Sequence, residues 1–229
     1  MRTPRDFQPL SPSKPGLVFS RQIGFLQAKP NPTQPGLPFR LASGCYNEDM
    51  QVALAFAASI NGKITKGDDP NVIKWTSNED KAFYKRFLKK QDVLIRTSAT
   101  YKLSHHDGSG AHYKQIVLTR SPEKYRHEAI KNRLEFTNET PKKLIERLEQ
   151  EGNNNVLLAV GRNVASLFLK EDLIDEFYLT IEPLLFGKGA PMFSEEKFDK
   201  KATLKSMKKV NNNGTLLLHY RIDRTGGSG

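Results

Sequence analysis

From residue 50 onward, the apolar positions fall into short continuous runs separated by stripes at helical spacing. "MQVALAFAAS" (50–59) is an unbroken apolar run, as expected of a strand covered on both faces. "KWTSNEDKAFYKRF" (74–87) changes the period. Phe83, Tyr84, Phe87 and Leu88 recur at helical spacing and predict a helix over 77–90. "DVLIR", "QIVLTR" (115–120) and "RLEFTN" (133–138) read as further strands. "TPKKLIERLEQEG" predicts a helix capped by Thr140, with Pro141 at its first position and Gly152 at its end. "NVLLAVG" is a strand, "NVASLFLKED" a short helix capped by Asn163, and "DEFYLTIEPLLFG" another strand. "ATLKSMKKV", "NNNG" and "TLLLHYRI" close the chain as an antiparallel hairpin. This alternation predicts an α/β fold with a mostly parallel central sheet, helices flanking it and a C-terminal antiparallel hairpin.

The N-terminal part has a different grammar. Residues 1–43 hold eight of the thirteen prolines, which defeats regular helix, so they read as an extension ahead of one domain over 44–225. The terminal "GGSG" (226–229) reads as a linker. The net charge of +11 draws in anions: a nucleic acid, an anionic lipid, or a phosphorylated or polycarboxylate small molecule. No nucleic-acid reader motif accompanies it, and no apolar run reaches the length of a membrane span, so neither partner is expected. Cys45 is the only cysteine, which excludes internal disulfides and favours a cytoplasmic setting.

One acid stands out of place. Asp80 lies four residues before Tyr84 and so begins the apolar stripe. Thr76 and Glu79 have the spacing of a capping box, with Thr76 as cap and Glu79 as its acid. Asp80 is then either a first-turn acid favoured by the helix dipole or a carboxylate held in a pocket. A partly buried carboxylate can bind an N–H-rich ring and help to protonate it. "AVGRNVASLF" (159–168) puts Gly161 between a buried strand and a helix start, where free N–H groups receive anions or where the chain simply turns. Thr119 and Arg120 end a strand; Arg120 is either a phosphate clamp or an ordinary surface arginine. The five histidines have no metal-ligand spacing, and no metal site is expected.

Together these stretches resemble the dihydrofolate reductase-like superfamily, which includes the reductase domain of bacterial riboflavin biosynthesis. "AASINGKIT" is similar to its S-x-D-G-x-I element, with Asn61 in place of Asp. "WTSNEDKAFYKRF", "VLIRTSATY" and "QIVLTR" match its first helix and the next two strands. "LLAVGRNVASLFLKEDLIDEFYLTIEPLLFGKGAPMF" carries its glycine turn, short helix, L-[IV]-D-E, strand and P-x-L-x-G-x-G in order. The resemblance implies a three-layer fold with NADPH across the C-terminal strand ends and hydride transfer to a pterin or pyrimidine substrate. It assigns Asp80 and Thr180 to catalysis, and Ala57, Asp80, Tyr84 and Thr180 to the substrate. Ile64 would meet the nicotinamide edge, and Ser98 and Thr100 the diphosphate side, with Thr100 capping the facing helix. Thr119 and Arg120 would grip the 2′-phosphate, and Gly161, Arg162, Asn163 and Val164 the diphosphate turn.

The resemblance implies three functions. The first is dihydrofolate reduction, supported by Asp80 with Thr180. The second is reduction of a ribosylaminopyrimidine phosphate in riboflavin synthesis, toward which "RTSAT" and the single glycine of "AVG" lean. There, "LSHHDG" stands where that family has an A-D-D-P-like stretch. The third is a catalytically silent basic binding protein on the same scaffold. A monomer or a homodimer is expected, as relatives occur as both.

Overall fold

The structure, a computed structural model, describes residues 50–104 and 109–223. The proline-rich extension, Cys45, the "HHDG" stretch and the terminal "GGSG" lie outside the described residues.

Eight strands form one sheet in the order β4-β3-β2-β5-β1-β6-β8-β7. Their ranges are β1 (Gln51–Ser59), β2 (Val93–Thr97), β3 (Lys114–Leu118) and β4 (Leu134–Thr137), followed by β5 (Asn155–Ala159), β6 (Glu176–Glu182), β7 (Ala202–Lys209) and β8 (Leu216–Ile222). β1 to β6 run parallel; β8 pairs antiparallel with both β6 and β7. The continuous apolar run of β1 suits its place between β5 and β6, at the centre of the sheet. Gly214, at φ +99°, turns the β7–β8 hairpin in the left-handed region that glycine enters without a Cβ clash.

Four helices, α1 (Asn78–Leu88), α2 (Ser98–Ser104), α3 (Pro141–Gln150) and α4 (Arg162–Lys170), cover the sheet. Side chains alternate along each strand, so the two faces carry different sets. Val52, Leu54, Ile95, Val156 and Leu158 pack against Leu144, Ile145 and Leu148 of α3 and against Phe168 and Leu169 of α4. On the other face, Ala53, Leu94 and Leu157 meet Tyr84, Phe87 and Leu88 of α1. The α1 stripe is the predicted one. It is half-buried along its length, because its residues face strands on one side and solvent on the other. Among the described residues, no helix is long and apolar enough to cross a membrane.

Three local readings need correction. α1 is capped by Ser77, not Thr76: the Ser77 hydroxyl accepts the Asp80 N–H at 3.2 Å. Thr76 is buried instead, and Glu79 points outward to accept a bond from the Asn211 side-chain amide at 3.1 Å. α4 begins at Arg162, with Gly161 at the cap position, and contains Asn163, which therefore caps nothing. Thr100 lies inside α2. The hydroxyl of Thr97, at the end of β2, accepts the Thr100 N–H at 3.3 Å and takes the capping role.

Candidate active site

The parallel strands deliver their following loops to one edge of the sheet. In open parallel sheets that is where ligands collect, beside the point at which strand order reverses. β5 returns between β2 and β1 after the chain has moved outward through β3 and β4, so the reversal falls beside β1 and β5. Ser98, Thr119, Arg120 and Gly161–Val164 all follow the C-terminal ends of β2, β3 and β5 and share this edge.

Asp80 and Thr180 come together there from opposite parts of the chain. The Thr180 hydroxyl donates to Asp80 Oδ1 at 2.6 Å, joining α1 to β6. Thr180 is buried, and its neighbour in register on β1 is the half-buried Ala57, so the two residues stand side by side on the α1 face. Burial pushes the Asp80 carboxyl above the usual aspartate range. Hydrogen bonds from Thr180 and Thr76 pull it down, the Glu182 charge pushes it up, and Lys81 lowers it slightly. Desolvation outweighs the rest, so this acid holds a proton to higher pH than an exposed aspartate. The acid on the oily stripe is thus a buried carboxyl with a specific partner. The helix-dipole reading alone predicts a lowered value, the opposite sign.

Tyr84 lies one turn further along α1 and packs among Ala53, Leu94, Leu157, Tyr113 and Tyr178. Burial raises its phenol well above the usual range, while Arg96 lowers it.

The α4 start has the form an anion needs. No side chain caps it, and a Cβ built on Gly161 would meet nothing within 4 Å. The first-turn N–H groups are therefore open to a ligand, with the exposed Arg162 beside them. Val164 turns inward to the core, and Asn163 outward. Ser98 and Thr100 are half-buried at the start of α2. The Thr119 hydroxyl accepts the Ser121 N–H at 3.3 Å, while Arg120 is exposed.

Ile64 is not brought to this group. Its side chain packs with Ala58, Leu179 and Leu218 on the opposite face of the sheet, and only 9% of it is exposed. Its place follows from the pairing of two loops, since its N–H donates to Ala190 O at 2.9 Å. Gly189 makes that pairing close: a Cβ there would lie 2.2 Å from Thr65 O. Asn61 joins the same loops, donating to Phe186 O at 2.8 Å and accepting from Ser59. The P-x-L-x-G-x-G stretch is thus a clasp on the loop after β1. A separate cleft of about 500 Å³ lies along β4, lined by Pro122, Tyr125, Arg126, Arg133 and Phe136, away from Asp80.

Glu182 was missed in the sequence reading. It is 3% exposed, and its two oxygens accept from the Ser77 N–H and the Thr215 hydroxyl, each at 2.7 Å. Its sequence signal is its place two residues after Thr180, which puts both on one face of β6.

The fold, a mostly parallel eight-stranded sheet with flanking helices and a C-terminal antiparallel hairpin, is that of the dihydrofolate reductase-like superfamily. Within it, the chain belongs to the RibD C-terminal domain family, whose sequence model matches residues 50–216. It is 31% identical over 178 residues to the uncharacterized protein YwjB of Bacillus subtilis, covering 75% of this chain and 98% of that one. Among solved structures, it is similar to a pyrimidine reductase-like protein from Corynebacterium diphtheriae (TM-score 0.64, 14% identity, 76% of this chain and 92% of that one). It is also similar to RibD of Acinetobacter baumannii (TM-score 0.62, 20% identity), covering 76% of this chain and 58% of that longer one.

Proposed function

We propose that the chain is an NADPH-dependent reductase whose substrate is a ribosylaminopyrimidine phosphate of the kind consumed in riboflavin synthesis. Membership of the RibD C-terminal domain family supports this substrate class over dihydrofolate, the sequence's first expectation. The observation that carries the reductase reading is the 2.6 Å bond between Thr180 and Asp80, whose pKa burial raises, at the strand ends.

The residues at the α4 start fit a dinucleotide diphosphate: an uncapped helix start, an open Gly161 and the adjacent Arg162. Thr119 and Arg120 would meet the 2′-phosphate, and the net charge of +11 favours both an anionic cofactor and a phosphorylated substrate. When bound, the cofactor supplies the hydride. The chain's own part is to bind and orient the substrate. Thr180 fixes one oxygen of Asp80, and the carboxyl meets the amino and N–H edge of the ring. Burial raises the pKa of that carboxyl above that of an exposed aspartate, which suits it to hydrogen-bond the base or to give a proton to the ribosyl group as hydride reduces it. Ala57 leaves room beside Thr180 for a flat ring, and Tyr84 closes the α1 side.

A second reading, dihydrofolate reduction, is favoured by the same pair, because Asp80 and Thr180 match the helix acid and strand threonine of dihydrofolate reductases. Purified protein with NADPH and each substrate in turn separates the readings by the loss of reduced-cofactor absorbance. Consumption with the pyrimidine alone is expected. Consumption with dihydrofolate alone would move the assignment to the second reading, and none with either would leave a silent binding protein.

A further inference from the structure

We propose that Glu182 is a positioning residue that completes the α1 cap from β6 and thereby releases Asp80 to face the substrate. The inference rests on the reductase reading only in taking Asp80 as the group that meets the substrate.

With Ser77 as N-cap, Ser77-Asn78-Glu79-Asp80 has capping-box spacing, and Asp80 is the third helical residue. In such a box the third residue's side chain reaches back to the N-cap N–H. Here it does not. The Asp80 carboxyl turns to Thr180, and the Ser77 N–H is taken by Glu182 at 2.7 Å. Half the box is kept, since the Ser77 hydroxyl still accepts the Asp80 N–H. The other half comes from a residue 105 positions away. Without Glu182, the obvious partner for the Ser77 N–H is Asp80.

The bonds around Glu182 all run toward it. The Asn211 side-chain amide donates to the Thr215 hydroxyl oxygen at 2.9 Å, and the Thr215 hydroxyl donates its own hydrogen bond to Glu182. The Ser77 N–H fills the second oxygen. Each oxygen of Glu182 thus accepts a bond. Asn211 is held in turn by the Gly214 and Thr215 N–H groups, and it also donates to Glu79. The β7–β8 turn, the end of β6 and the first turn of α1 are thus one network, with Asp80 at its edge.

The charge of Glu182 adds to the positioning. The charged groups that act on Asp80 are Glu182 from β6 and Lys81 from α1; Tyr84 lies near on α1 as a neutral phenol, and β1 presents the uncharged Ala57 and Ser59. Glu182 opposes ionisation of Asp80, and Lys81 favours it.

The test needs no substrate. The side-chain carboxyl of Asp80 is titrated by carbon-13 NMR in the intact protein, assigned by its loss in Asp80→Asn, and compared in Glu182→Gln and Glu182→Ala. Glutamine keeps an acceptor for the Ser77 N–H but removes the charge, so the Asp80 midpoint is expected to fall. Alanine removes both, so Asp80 turns back to Ser77 and its midpoint falls further. An unchanged midpoint in both variants overturns the proposal. If neither variant folds, amide exchange in the wild-type protein decides: a slowly exchanging Ser77 N–H is expected, and rapid exchange overturns it. A shifted midpoint in a protein that consumes no NADPH would sustain the role of Glu182 while removing the reductase reading.

Discussion

At the residue scale, Asp80 is a compromise between function and stability. Its pKa is raised in the folded chain, chiefly by burial, so the native state binds a proton more tightly than the unfolded one. That contribution to stability is fully present below the unfolded aspartate value and is lost as pH rises through the folded one. Wherever Asp80 is ionised in the folded chain, Asp80→Asn removes a charge that burial disfavours. It is expected to leave the melting temperature unchanged or higher at pH 7.5, while turnover falls by about 10²-fold or more. A drop in stability with specific activity retained would return Asp80 to a capping role. Thr180→Val tests the partner: the Asp80 oxygen loses its donor, and kcat is expected to fall more than KM rises. The acid on the apolar stripe was legible in the sequence, because the helical period exposes it. The cap was not. Thr76 and Ser77 are adjacent hydroxyls, and the choice between them depends on Glu182, which is remote in sequence.

At the element scale, the two glycines that matter differ in kind. Gly189→Ala would drive a methyl to within 2.2 Å of the Thr65 carbonyl and part the clasp between the loops after β1 and β6. A loss of about 1 to 3 kcal/mol in denaturant titration is expected. Gly161→Ala meets nothing within 4 Å, and its φ of −80° suits any residue. The melting temperature should hold while NADPH affinity, read by fluorescence, falls, because the added methyl lies where the diphosphate must approach. Equal affinity in this variant would remove the α4 start from the cofactor site. α3 carries a different dependence. Arg147 joins Glu135, Glu139 and Glu151, and its hydrogen bond holds the Glu139 carboxyl below the usual range. A depressed carboxylate stabilises above its unfolded value, and that contribution disappears as pH falls through the folded one. Arg147→Met is expected to cost about 1 kcal/mol at neutral pH and less near pH 3. The strands and the hairpin were readable from their runs and from the Gly214 turn. The start of α4 was not, because an uncapped helix leaves no cap residue to read.

At the scale of the whole molecule, strand order decides what the site can be. The alternation of strands and helices implied a parallel sheet, and the superfamily resemblance implied how its edge would be used. No local pattern states that β5 returns between β2 and β1, yet that return sets the reversal of strand order beside β1 and β5. The same limit explains Ile64, whose apolar character fits either face and whose loop pairing with Ala190 selects the far one. The central claim is that this edge reduces a ribosylaminopyrimidine phosphate with Asp80 as its acid. Its most direct test is NADPH consumption by the wild-type and Asp80→Asn proteins, each given the ribosylaminopyrimidine phosphate and, separately, dihydrofolate. The account predicts cofactor oxidation by the wild type with the pyrimidine and a loss of about 10²-fold in the variant. Equal rates in the two proteins, or oxidation with neither substrate, would contradict it.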